Sequence, residues 1–216
     1  MRLICRLIAV ALLLAVAAAP ASAEFPGRYG LRAGVNLSAF TGGFGELVEP
    51  DNRIAANVAF VYEYDFAPKL SLHTGLGYSG KGGVSHSEGT DPSGNPTGTS
   101  KDTWSFNYLE VPLLLRGRLQ AFGTSHVFAE LGPMLDFRLN GKFTSENGGG
   151  RELSLTDEMN VFDLGVGAGV GIEFPAGPGR LGVETRYTRG LDDLYDVSGT
   201  LTTINQAWTF ALSYTR

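Results

Sequence analysis

The stretch Gly75-Leu76-Gly77-Tyr78-Ser79-Gly80-Lys81-Gly82 is the first place where residue type and spacing invite chemistry. It fits G-x-G-x-x-G and nearly fits a phosphate-cradling P-loop. The P-loop pattern needs Ser or Thr after the lysine to hold Mg²⁺, and Gly82 stands there with no helix to follow. Glycines lining one face of a strand account for the run better than a nucleotide site. His73, sharing a strand face with Ser71 and Ser79, has the residue types of a Ser–His lipid hydrolase. That chemistry needs the two groups within hydrogen-bond reach and a third to orient the base, and the spacing supplies neither. The acidic groups Glu46, Glu49 and Asp51, then Asp157 and Glu158, then Asp192, Asp193 and Asp196 carry oxygen ligands of the kind Ca²⁺ takes. Solvation of polar loops is the simpler reading. The expectation is therefore no catalytic residue, no cofactor and no resident metal.

The elements that position these residues are strands. The last ten residues, Ala207 to Arg216, put Trp208, Phe210, Leu212 and Tyr214 on one parity and small residues on the other. Such alternation belongs to a strand between two different solvents. Seven earlier segments repeat it. Tyr29, Leu31, Ala33, Val35 and Leu37 form one apolar face; Ile54 to Phe66 on even numbers another; Leu70, Leu72, Leu76 and Tyr78 a third. Next come Trp104, Phe106 and Tyr108, after which apolarity moves to Leu109, Val111, Leu113 and Leu115, so a bulge near Tyr108 is expected to switch the face. Val127 to Leu139 on odd numbers, Phe162 to Phe174 on even numbers, and Leu181, Val183 and Tyr187 complete the set. Pro112 and Pro133 fall inside strands and remove ladder donors, which calls for bulges beside them.

Residues 1–23 have a basic start at Arg2 and Arg6, an apolar run, and an Ala21-Ser22-Ala23 cleavage box, and so read as a signal peptide ahead of one barrel domain at 24–216. Cys5 is the only cysteine and lies within that leader, which leaves no thiol or disulfide afterwards. Loss of Arg2 and Arg6 takes the formal charge from −5 to −7, against a nucleic-acid partner. No later stretch approaches the roughly 18 apolar residues of a spanning helix, so any membrane crossing must use strands.

If the apolar parity meets lipid, the chain is an all-β, eight-stranded antiparallel up-and-down transmembrane β-barrel in the bacterial outer membrane. Its rival is a soluble lipocalin-like barrel with the faces reversed. That arrangement would need many long solvated side chains outside, yet there are only four lysines. In the membrane reading the lumen holds Arg32, Lys81, Arg116, Arg138 and Arg186 with Glu63, Asp65, Glu110, Glu130, Asp136, Asp163, Glu173 and Glu184. Eight strands leave an interior about wide enough for side chains alone, so these charges must pair and plug it.

Connections alternate in length. Those at about 39–53, 82–103, 140–160 and 189–205 are long and polar, and 82–103, rich in Gly, Ser, Thr, Pro and Asp, is expected to be a mobile loop. Those at 67–69, 120–125 and 175–179 are short. Long loops face outward in such barrels, which places both termini in the periplasm. Aromatic belts agree: Tyr62, Tyr64, Phe66, Phe174 and Tyr214 near the periplasmic ends, and Tyr78, Trp104, Phe106, Phe162, Tyr187 and Trp208 near the outer ends.

The blocks LRAGVNLS (31–38), LSLHTGLGYSGK (70–81), YLEVPLLL (108–115), Gly132-Pro133 and GVETRYTRGL (182–191) together resemble the PorT-like outer-membrane β-barrel family of Bacteroidota, over nearly all of the chain after the leader. The resemblance implies a small eight-stranded barrel and carries no catalytic residue over. It departs at Arg216, where such barrels often end in an aromatic residue read by the assembly machinery. The expected partners are outer-membrane lipids and that machinery. Three roles remain open: a structural or interaction protein with a plugged lumen, a narrow solute channel, and a PorT-like accessory factor in secretion or gliding, with envelope partners unidentified.

Overall fold

The computed structural model describes residues 27–42, 51–90, 96–146, 151–155, 160–192 and 203–216. The leader at 1–23 and the acidic positions Glu46, Glu49, Asp157, Glu158, Asp193 and Asp196 lie outside them. Nine strands follow in order: β1 Gly27–Thr41, β2 Asp51–Ala67, β3 Leu70–Thr90, β4 Pro96–Gln120, β5 His126–Ser145, β6 Arg151–Ser154, β7 Phe162–Ala176, β8 Gly179–Gly190 and β9 Ile204–Thr215. Every pairing is antiparallel, and β4 against β5 closes the sheet into an eight-stranded barrel, with the four-residue β6 laid on the far end of β5.

Parity decides the faces. Leu31, Ile54 and Leu131 are 66%, 71% and 64% exposed on the outside, whereas Arg32, Arg116 and Arg186 are 2%, 2% and 1% exposed within. A lipocalin-like arrangement would reverse this, and is overturned. The prolines need no bulges. Register is constant through Pro112 and Pro133, but the β3–β4 ladder is empty between the Thr74↔Leu113 and Gly77↔Glu110 pairs, and the β4–β5 ladder between Pro112↔Met134 and Leu115↔Leu131. Each proline sits at a gap where no donor is asked for.

Two expectations are corrected on β4. Even-numbered residues stay inside throughout, so no face switch occurs, and Trp104, Phe106 and Tyr108 are 6%, 1% and 1% exposed in the lumen rather than on a lipid belt. The register slip does fall beside Tyr108, but the extra residue is Leu139 on β5, between the Asn107↔Asn140 and Tyr108↔Arg138 pairs. At that height the outward residues are Ser105 and Asn107 while the lumen side carries the three aromatics, so the apolar face of β4 is the inner one there.

A third correction concerns 82–103. Much of it is a hairpin, with β3 and β4 paired from Gly82↔Ser105 through Val84↔Thr103, His86↔Lys101 and Gly89↔Gly98. A barrel strand needs only about 9–11 residues to cross a bilayer, so strands of 21 and 25 residues project well past it. Beyond the membrane water bathes both faces, which erases the alternation that marks a strand. The other end is short-turned: Pro68-Lys69, residues 121–125, and Gly177-Pro178. Gly177 has φ 59°, as the first position of a two-residue hairpin turn demands.

Candidate functional site

The site is the lumen, and it is layered. At the long-loop end Phe40, Trp104, Phe106 and Tyr108 cluster across it, with Phe143 and Leu155 packed against them. Trp104 meets Phe40 edge-on at 5.5 Å and Phe143 at 5.1 Å between centroids. The bulge at Leu139 lets Phe143 join, because it flips the parity of β5 beyond that point.

Next inward lies an acidic layer. Glu110, Asp136 and Asp163 are direct cross-strand neighbours on β4, β5 and β7. Like charges so placed repel, and Lys81 answers them: its Nζ donates to Asp136 and stands 3.4 Å from Glu110, with the Tyr108 ring 5.3 Å away. Tyr108 in turn accepts a 2.7 Å hydrogen bond from Asn205 Nδ2. Arg138 is buried on the inner face nearby, its main-chain N–H donating to Val161 O at 2.7 Å.

Below this, along β4 and β5, come Leu114 and Met134, 0% and 1% exposed. They give the β4–β5 wall an apolar patch between the acidic layer and the next, while Asn36, Asn57 and Ser79 line the lumen on β1, β2 and β3. Gly167 on β7 makes room, since a Cβ there would lie 2.9 Å from Met134 Sδ.

The third layer is an arginine–glutamate lattice centred on Arg116. Its guanidinium reaches Glu130 at 2.7 Å, Glu173 at 3.0 Å, Glu184 at 3.4 Å and Glu63 at 3.5 Å. Arg186 meets Glu130 at 2.7 Å and Glu184 at 3.4 Å, Arg32 pairs with Glu184, and Arg32 Nη1 donates to Asn57 at 2.6 Å. Arg118 pairs with Glu63 and lies 2.8 Å from Asp65, which is half-exposed at the rim and also faces Arg28 at 3.5 Å. Arg28 donates to Glu63 at 2.9 Å. Burial makes each charge depend on its partners, because an unpaired ion here costs several kcal/mol. Glycines of β7 carve the space: a Cβ on Gly169 would lie 3.0 Å from Glu130 Oε1, and one on Gly171 would lie 2.4 Å from Phe128 Cζ.

Arg32, Lys81, Arg116, Arg138, Arg186, Glu63, Glu110, Glu130, Asp136, Asp163, Glu173 and Glu184 are buried inside the barrel, with Asp65 half-exposed at its mouth. Arg118, Arg28 and Arg180 are additional; Arg118 shares the parity of Arg116 and could have been read from it. The outer surface carries Tyr29, Tyr64, Phe66, Phe174 and Tyr214 at the short-turn end, and Tyr78 and Trp208 at the other. Tyr62 and Phe162 are half-buried at these two ends, and Tyr187 packs on Trp208 at 5.1 Å.

Among the described residues none of the candidate chemistry assembles. Ser71 Oγ donates to Glu63 at 2.9 Å, Ser79 Oγ accepts from Asn36 at 3.0 Å and from Asn57 at 3.2 Å, and neither ring nitrogen of buried His73 has a hydrogen-bond partner among the described residues. Gly75 to Gly82 lies within paired β3, and Lys81 is spent on carboxylates. Among the described residues no group of three or more His, Cys, Asp or Glu side chains is arranged to hold a metal.

A family profile described as "Outer membrane protein beta-barrel domain" matches residues 26–196. It is the general outer-membrane barrel domain and not specifically the PorT-like group. No curated protein matches the chain significantly. Among solved structures the chain is similar to Ail, the attachment invasion locus protein of Yersinia pestis, at 12% identity and TM-score 0.43, covering 88% of this chain and 99% of that one. It is also similar to Neisserial surface protein A, at 7% identity and TM-score 0.45 over 86% and 95%. The outer membrane protein OprG from Pseudomonas aeruginosa follows at 10% identity and TM-score 0.39 over 88% and 96%. Likeness at this level says nothing about activity.

Proposed function

The chain belongs to the outer membrane protein β-barrel domain family, and from that premise we propose that it is a structural and interaction protein: a plugged barrel that holds a β-extended platform outside the cell. The observation that carries this is Arg116, within 3.5 Å of four carboxylates from β2, β5, β7 and β8. With the buried Leu114 and Met134 above it, the lattice ties the walls together across the route a solute would take. The projecting β3–β4 hairpin, with β5 and β6 beside it, offers the surface for an envelope partner. Long connections outside put the short turns and both chain ends in the periplasm, after removal of residues 1–23. The lipid-facing belts contact outer-membrane lipids, and the assembly machinery inserts the barrel. The protein acts without catalysis.

The test is electrical. Purified protein in planar bilayers is expected to give no large steady conductance, and liposomes carrying it are expected not to swell in small sugars. A steady open pore from the unmodified protein refutes the plug and favours the narrow-channel reading. An accessory role in secretion or gliding draws its support from the Tyr108–Leu115 and Gly182–Leu191 blocks; deletion that leaves protein export intact removes it.

A further inference from the structure

At the short-turn mouth a hollow of about 480 Å³ opens below the lattice. Arg28 from the start of β1, His126 from β5, Arg180 from β8 and Arg216, which follows β9, line it with Thr124 and Thr215, and none of its eleven described lining residues has an acidic side chain. We propose that this mouth is a receptor for a phosphate group, gripped by Arg28, Arg180 and Arg216 with His126.

Three observations carry it. First, the nearest carboxylates are spoken for one layer deeper: Glu63 is shared by Arg116, Arg118 and Arg28, whose Nη2 donates to it at 2.9 Å, Glu173 is shared by Arg116 and Arg118, and Arg180 approaches Glu173 only at 3.9 Å. Second, donors outnumber acceptors. Arg180 Nη1 sits 2.8 Å from His126 Nδ1, which makes that ring nitrogen the acceptor and leaves Nε2–H to donate, while Arg28 Nε is buried with no hydrogen-bond partner among the described residues. Third, the frame is preset. Two main-chain hydrogen bonds, of 2.8 and 3.0 Å, pin Arg216 to Tyr29, and the β7–β8 turn brings Gly179 so close that a Cβ there would lie 2.3 Å from Thr215 O. Guanidinium forks match phosphate oxygens two at a time.

The height of the site suggests the source. Tyr64, Phe66, Phe174 and Tyr214 ring this end at the level where aromatic side chains meet headgroups. Arg28 and Arg180 face the lumen while Arg216 starts from the outward parity, so the hollow joins the headgroup layer to the mouth. A phospholipid phosphate and a free phosphate share this chemistry; which leaflet the site faces rests on the orientation proposed above.

The test is an NMR titration of the ¹⁵N-labelled barrel in a phosphate-free maltoside detergent. Inorganic phosphate is added in one arm and short-chain phosphatidylglycerol in the other, reading the arginine Nε–H signals and the Gly177, Gly179 and Thr215 amides. Saturable shifts localised to this mouth are expected. Arg180→Gln should weaken binding about tenfold or more, the loss of a charge-assisted bidentate contact, and Arg189→Gln at the opposite end should leave it unchanged. Saturation by phosphate identifies a free-anion receptor; saturation by the lipid alone identifies a headgroup site. Absence of saturable shifts in the unmodified protein from both ligands overturns the proposal however the variants behave, as does undiminished affinity in folded Arg180→Gln.

Discussion

The Arg116 guanidinium carbon lies 3.9 Å from the centroid of the Phe128 ring. Both project into the lumen from adjoining strands, where Arg116 faces Glu130 in register and Phe128 faces Arg118. The ring therefore covers one face of the cation while carboxylates take its edges, a geometry that holds the guanidinium plane and directs its donors outward to four strands.

Replacing that hub should be costly. Arg116→Met leaves Glu130, Glu173, Glu184 and Glu63 without their shared cation, and the unfolding free energy in a urea titration from lipid vesicles is expected to fall by about 3–5 kcal/mol. A loss below about 1 kcal/mol would show that Arg118 and Arg186 suffice.

The apolar patch on the β4–β5 wall makes a second prediction. Leu114→Ala combined with Met134→Ala opens a hole between two charged layers, and ion current absent from the unmodified protein should appear in planar bilayers. Silence from a correctly folded double variant would mean the arginine lattice seals the lumen alone.

The tryptophans can be told apart. Trp208 is 50% exposed toward lipid and Trp104 is 6% exposed in the lumen. Lipids brominated on their acyl chains should strongly quench the Trp104→Phe variant, whose remaining emitter is Trp208, and barely touch Trp208→Phe. Equal quenching would return Trp104 to the outer belt.

Glycine placement is testable on β7. An added Cβ at Gly171 meets Phe128 Cζ at 2.4 Å and Val183 O at 2.6 Å, whereas one at Gly167 meets the flexible Met134 side chain first, at 2.9 Å. Gly171→Ala should therefore destabilise by about 1–3 kcal/mol, and by more than Gly167→Ala, in the same urea titration. The reverse order would contradict the packing of Phe128.

Much of the lumen was legible because a strand alternates with period two. Once the apolar parity of β7 is assigned to lipid, Asp163 and Glu173 can only point inward, and the same step places Arg32, Arg116 and Arg186. The signal failed where its premise failed. Near the outer rim Ser105 and Asn107 are the outward residues and Trp104, Phe106 and Tyr108 the inward ones, so the aromatic parity points to the wrong side, and the 82–103 hairpin stands in water on both faces, so its sequence reads as loop.

The amino-acid sequence by itself determined that this chain forms a barrel with greasy walls and a charged bore, because each strand carries its own contrast between two solvents. The tertiary structure alone decided which charges meet. Arg32 finds Glu184 across 152 residues, and Arg116 collects carboxylates from both sides of its own position in the chain. It also decided that Leu114 and Met134 lie buried between the two charged layers and that three arginines line one mouth. Those neighbours follow from barrel closure and strand stagger, which set the height of each side chain in the lumen and which no local alternation records.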